Sequence, residues 1–236
     1  ITFDSSLTSS GALTINADSD GDGTGILTVV DSKSINSSGN AITSTFQTIS
    51  LGSGSTINAG VGALTNNFTQ GFLSTNETAV AKFTGGSLTT NVDGDITMNA
   101  FAASTTSNIA GRITLNSTSG SITVVGAGTF NNGATLKATG DIKVQANLTI
   151  NGGDFIAVAD NDNNESGKFT VDSGVTITAS AGDIDITGFG IDEGGTLDAS
   201  GSISLTDNSA AQQAEVDQAS DAAFLADFTA PADSGC

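Results

Sequence analysis

The chain has 236 residues, with 6 basic and 25 acidic side chains, no histidine and a formal charge of −19. Such a surface excludes nucleic acid and anionic membranes as partners, because phosphates are repelled and no basic stripe offsets the repulsion. No apolar run approaches the roughly 18 residues of a membrane span, so no membrane insertion is expected. The single cysteine, Cys236, cannot form an internal disulfide.

Tryptophan and tyrosine are absent, and Gly, Ser, Thr, Asn and Asp dominate the polar residues. Val, Ile, Leu and Thr recur at regular intervals, which a disordered chain would not show, so the sequence reads as ordered and strand-rich. It begins at Ile1 without a charged n-region or an apolar signal core. It therefore reads as a mature product or as a piece of something longer.

In chain order, the first predicted strand is GALTI at residues 11 to 15, where apolar and polar residues alternate after a glycine. Residues 17 to 25 follow, ADSDGDGTG. Asp18, Asp20 and Asp22 take positions one, three and five of a DxDxDG calcium pattern, with Gly23 at the sharp turn. Alternation aims successive carboxylates at one centre, which suits a cation that needs six to eight oxygen ligands. The acidic residue expected at position twelve is missing, and Val29 stands there. A neighbouring turn or water would have to complete the shell. The plain alternative is a solvated Asp-Gly turn.

A strand, GILTV, follows at 25 to 29, and then residues 42 to 84 depart from the repeat and read as an insertion against one face. The motif resumes as GSLTT at 86 to 90, GDITM at 94 to 98, GRITL at 111 to 115, GSITV at 120 to 124 and GDIKV at 140 to 144. Residues 160 to 167, DNDNNESG, form a second candidate cation loop through Asp160, Asp162, Asn164 and Glu165. Like the first, it leads straight into a strand. Two more copies, GDIDI at 182 to 186 and GSISL at 201 to 205, complete the array.

The tail differs. Ser209 and Gln212 form a capping-box pattern before an alanine-rich run, with Pro231 beyond it. This predicts a short C-terminal helix from about 210 to 227, within an acidic segment 209–236 that caps the array or docks on another subunit. Residues 141 to 236 hold 17 acidic and 2 basic side chains, against 8 and 4 in residues 1 to 140. Charge-complementary or cation-binding features are therefore expected toward the C-terminal part.

Near-identical short strands, each opened by glycine, favour an all-β right-handed parallel β-helix, a solenoid, over residues 1–208. About ten turns and a rod of about 50 Å are expected. Phenylalanines are expected at wider corners or under loops. A β-sandwich built from hairpins is the alternative, weakened by the scarcity of Asn-Gly turns, which occur only at 131–133 and 151–153.

GDITM, GSITV and GDIDI, with STINA- and ATLKA-like strands between them, resemble the filamentous haemagglutinin-type β-helix repeats of large secreted bacterial surface proteins. That resemblance implies a solenoid located outside the cell or on its surface. It does not extend to that family's Asn-Pro secretion motif, since the only proline is Pro231.

Asn-x-Ser/Thr triplets at Asn36, Asn67, Asn76, Asn116, Asn147 and Asn164 are expected by chance in so polar a chain, or mark glycosylation. Asp183 and Asp185 lie two apart on a predicted strand, as Asp93 and Asp95 do. Paired carboxylates serve polysaccharide lyases and hydrolases, but outward polar positions are also ordinary on every rung. With no histidine and one arginine, the residues point away from an enzyme. A Thr face for ice binding finds only the scattered pairs 43/45 and 176/178. The expectation is a structural extracellular protein that assembles into a homopolymer, a cell-surface filament, appendage or matrix, through its solenoid ends or tail. A calcium-stabilised adhesin module that binds glycans is the first alternative.

Overall fold

The computed structural model describes residues 1–69, 73–75, 83–98, 101–102 and 108–209. The helix expected over 210 to 227, Phe72, Asn76 and Cys236 lie outside the described residues.

The described chain is all strand and turn, and its strands stack in parallel into a solenoid. One continuous nine-stranded sheet runs the length of the stack. Its strands are Leu13–Asn16, Ile42–Phe46, Ala63–Phe68, Ser87–Val92, Ile113–Ser117, Ala134–Ala138, Phe155–Val158, Ile184–Gly188 and Ile203–Asp207. Between consecutive members the chain makes a full circuit through two further strands, or three near Ile96–Met98, and returns one rung higher. The alternation of the motif is the cause. In Ile122–Val124, for example, Ile122 and Val124 are fully buried while Thr123 faces outward. Antiparallel hairpins are absent among the described pairings, which rules out the sandwich.

Register holds from rung to rung. Leu13, Ile42, Leu64, Leu88, Ile113, Ala134, Phe155, Ile184 and Ile203 form one stacked column. Eight steps of about 4.8 Å give a stack roughly 38 Å long, shorter than the expected 50 Å. The shortfall comes from uneven coils: Leu13 meets Ile42 one coil on, whereas Ile184 meets Ile203. Two long loops, at 17–25 and 159–168, take up most of the difference, and the coils from Leu64 to Leu88 and from Leu88 to Ile113 take up part of the rest.

The described residues of the stretch 42 to 84 form coils of the stack, not an insertion. Its strands Ile42–Phe46, Thr48–Leu51, Thr56–Asn58, Ala63–Phe68 and Phe83–Gly85 pair in register with the coils before and after. The repeat is hard to see there because an inward column is polar. Ser44, Asn66 and Thr90 stack in the interior, each buried, and Ser44 Oγ donates to Asn66 Oδ1 at 2.6 Å. Phenylalanines also sit inside the strands' own core. Phe46, Phe130, Phe155 and Phe169 are fully buried, and Phe46 meets Phe68 edge-on at 4.6 Å.

The Gly-Asp and Gly-Ser pairs that open the repeats are two halves of one contact. Asp95 Oδ1 accepts the backbone N–H of Ser121 on the next coil at 2.8 Å, Ser121 Oγ accepts that of Asp141 at 3.0 Å, and Asp141 Oδ1 accepts that of Lys168 at 2.8 Å. Asp154 Oδ1 takes the N–H of Asp183 at 3.1 Å, and Asp183 Oδ1 takes that of Ser202 at 2.6 Å. These oxygens need room. A Cβ on Gly120 would lie 2.5 Å from Asp95 Oδ1, one on Gly140 2.6 Å from Ser121 Oγ, and one on Gly182 2.8 Å from Asp154 Oδ1. The glycine vacates the space through which the previous coil's side chain reaches a backbone donor.

On the outer face of the long sheet, Asn116 Nδ2 donates to Asn91 Oδ1 at 3.1 Å, and Asn91 Nδ2 to Asn67 Oδ1 at 2.8 Å. This amide ladder runs beside a column of Thr43, Thr65, Thr89 and Thr114. Both ends of the stack are open among the described residues. At the last rung Ile203 is 45% and Leu205 39% exposed, although both occupy inward register positions. At the first rung Phe3, Leu7 and Leu13 are only partly buried.

Candidate metal centre

Both Asp-rich loops occupy the same corner of the coil, where the chain leaves the long sheet for the next coil's first strand. Residues 17–25 connect Leu13–Asn16 to Ile26–Val29, and residues 159–168 connect Phe155–Val158 to Phe169–Val171. Elsewhere this corner is short; only Gln47 separates Ile42–Phe46 from Thr48–Leu51. The two loops are thus excursions at one structural position.

Their chemistry differs. In the first loop, Gly21 (φ 68°) and Gly23 (φ 75°) adopt left-handed backbone that folds the chain back on itself. This gathers Asp18, Asp20 and Asp22 so that one carboxylate oxygen from each lies within 4.8 Å of the others. Asp20 and Asp22 are exposed, whereas Asp18 is 4% exposed. Asn16 Oδ1 accepts the Asp18 N–H at 3.2 Å, and Asp22 Oδ1 accepts from the Thr24 backbone at 3.0 Å and hydroxyl at 2.6 Å. Gly25 packs close against Ala17 and Asp18, where a Cβ would lie 2.5 Å from Asp18 Cβ.

Asp18 is held from a distance. Thr69 Oγ1, two coils away, donates to Asp18 Oδ2. The sequence carries no local signal for this residue, because 51 positions separate the pair. The other oxygen, Asp18 Oδ1, is buried and has no hydrogen-bond partner. Val29, at the twelfth position of the pattern, is fully buried in the core and offers no ligand.

The second loop is closed by its own bonds. Asp160, 6% exposed, accepts the Asn164 N–H on Oδ1 at 2.8 Å and the Glu165 N–H on Oδ2 at 3.2 Å. Asn164 Nδ2 donates to Asp162 Oδ2 at 2.8 Å, and Ser166 Oγ donates to Asn164 Oδ1. These bonds support three non-glycine residues in left-handed backbone, Asp160, Asn163 and Glu165. Among the described residues, Asp18, Asp20 and Asp22 form the group of three acidic side chains with mutually close oxygens; Asp160, Asp162 and Glu165 do not.

One member of each remaining acidic pair is used in the coil ladder. Asp95 and Asp183 each spend Oδ1 on the next coil's backbone, and Ser202 Oγ also donates to Asp183 Oδ1 at 3.0 Å. The ion pairs Arg112–Asp154, Lys143–Asp172 and Lys168–Asp192 join successive or next-but-one coils at 3.3 to 3.4 Å. None of them reaches the 17–25 corner.

The fold and corner define the chain as a parallel β-solenoid with an acidic excursion near its N-terminal end. No family model matches the chain, and neither a curated protein nor a solved structure does.

Proposed function

We propose that this chain is a structural protein that works outside the cell, a rod-shaped subunit that adds head to tail into a surface filament, appendage or matrix. The coil is taken as right-handed, the sense of nearly all parallel crossovers. The observation that carries the reading is the pair of ends left open among the described residues. The last rung leaves Ile203 and Leu205 half-exposed at inward positions, and the first leaves Phe3, Leu7 and Leu13 partly covered. Each end also presents the backbone edge of three strands: Thr2–Phe3, Leu7–Thr8 and Leu13–Asn16 at one, Ile191–Glu193, Thr196–Ala199 and Ile203–Asp207 at the other. Open edges of this kind pair with further strands unless covered. Because every strand runs the same way, the two ends differ, and their contact is heterologous and does not close. The resemblance of the repeats to the filamentous haemagglutinin type supports the same location.

The test is electron microscopy of the purified full chain beside its Ile203→Lys and Leu205→Lys variants. Filaments in the parent and single rods in both variants support the reading. Single rods in all three, at every concentration tried, contradict it.

A second reading, a glycan-binding adhesin module, draws on the ladder of Asn67, Asn91 and Asn116 beside the Thr column, a flat run of amide and hydroxyl groups. It requires saturable glycan binding that Asn91→Asp, with its lost donor, weakens.

A further inference from the structure

We propose that the 17–25 corner binds one calcium ion through Asp18, Asp20 and Asp22. This goes beyond the assembly reading and holds or fails independently of it.

Two observations meet here. The first is convergence: one oxygen from each of the three carboxylates lies within 4.8 Å of the others. Two oxygens bound to one calcium at about 2.4 Å stand at most about 4.8 Å apart, and all three pairs meet that bound. The second is a deficit. Asp18 is 4% exposed, yet its Oδ1 has neither solvent nor a hydrogen-bond partner. A buried carboxylate oxygen without a partner is costly. A cation between Asp18 and its two exposed neighbours removes that cost and their mutual repulsion. No ion pair among the described residues supplies a positive charge there.

The equivalent loop at 159–168 is an internal comparison. It lies at the same corner with the same alternation, but the buried Asp160 spends both oxygens on the Asn164 and Glu165 backbone. That loop is complete without an ion, and the first is not. Thr69 completes the arrangement by holding Asp18 Oδ2 from two coils away. It leaves Oδ1 as the oxygen without a partner and ties the site to the third coil. With Asp20 and Asp22 exposed, water fills the rest of the shell. An open site with three carboxylates belongs to the weak extracellular range, a dissociation constant of about 10⁻⁴ to 10⁻³ M.

Isothermal titration of the full chain with calcium chloride tests the proposal. One saturable site is expected. Asp20→Asn, an exposed change that spares the fold, should weaken it roughly tenfold or more, as should Thr69→Val. Asp162→Asn, in the comparison loop, should leave it unchanged. Magnesium chloride should bind far more weakly, because magnesium demands stricter geometry and gives up water reluctantly. The proposal is overturned by the absence of saturable calcium binding, by calcium binding unaltered in Asp20→Asn, by equal loss in Asp162→Asn, or by magnesium binding as well as calcium.

Discussion

Gly120 shows how a single residue is fixed by its neighbour on another coil. A methyl group there would meet Asp95 Oδ1 at 2.5 Å and the Gly94 carbonyl carbon at 2.7 Å. Backbone cannot swing aside as a flexible side chain can. Gly120→Ala is therefore expected to lower stability by about 1–3 kcal/mol, measured by denaturant unfolding. Gly11 opens the same motif in the first coil, and nothing lies within 4 Å of its added Cβ. Gly11→Ala should change stability by less than about 0.5 kcal/mol. Asp95→Ala removes the acceptor for the Ser121 N–H and should cost about 1 kcal/mol. Equal effects of the two glycine substitutions would contradict the account. At this scale the sequence is legible only in part. The recurrence of Gly-Asp and Gly-Ser announces a constraint, but it does not say that the two residues act across coils. Thr69 leaves no local trace, because its partner Asp18 is near only after two circuits of the chain.

Strands were the most readable elements wherever inward positions are apolar. GSITV and GDIKV became the strands Ile122–Val124 and Ile142–Val144 with the expected faces buried. Reading failed over 42 to 84, where Ser44 and Asn66 occupy the inward column and blur the alternation. That column makes its own prediction. Asn66→Ala leaves the buried Ser44 hydroxyl only its long bond to the Thr65 carbonyl, at 3.5 Å, and should cost about 1 kcal/mol or more. The double change Ser44→Ala with Asn66→Leu removes both partners and should recover part of that loss in denaturant melts. At the last strand, Asp207 ties the final rung to the one before it. It accepts from the Ser209 N–H at 2.8 Å, Ile191 at 3.2 Å and Gly190 at 3.1 Å. Partial burial pushes its carboxyl up, but the bonds from Ser209, Ile191 and Gly190 outweigh this and hold it below the ordinary value of 3.8. A carboxyl lowered by folding stabilises fully above its unfolded value and loses that contribution as pH falls through its folded one. The contribution of Asp207 to holding the last rung should thus be lost as pH falls below about 3.8. Hydrogen exchange at Gly190 and Ile191 should show this, and Asp207→Asn should remove the pH dependence.

For the whole molecule, the repeat predicted parallel stacking and a single elongated core, and both are present. The count of coils ran high mainly because the two corner loops lengthen their coils without adding strands, and partly because the coil from Leu88 to Ile113 carries an additional strand. The charge of −19 acts on the same scale. Like-charged rods repel, and salt screens that repulsion over about 10 Å at 0.1 M. If rods add end to end through their apolar last rung, assembly should increase as salt rises, read by light scattering. A fall would indicate that ion pairs between subunits hold the contact instead. The most direct measurement is imaging: electron micrographs of the full chain at rising concentration, beside Ile203→Lys and Leu205→Lys. The account predicts unbranched filaments one solenoid wide in the parent and isolated rods about 38 Å long in the variants. Isolated rods in the parent at every concentration, or filaments that persist in both variants, would contradict it.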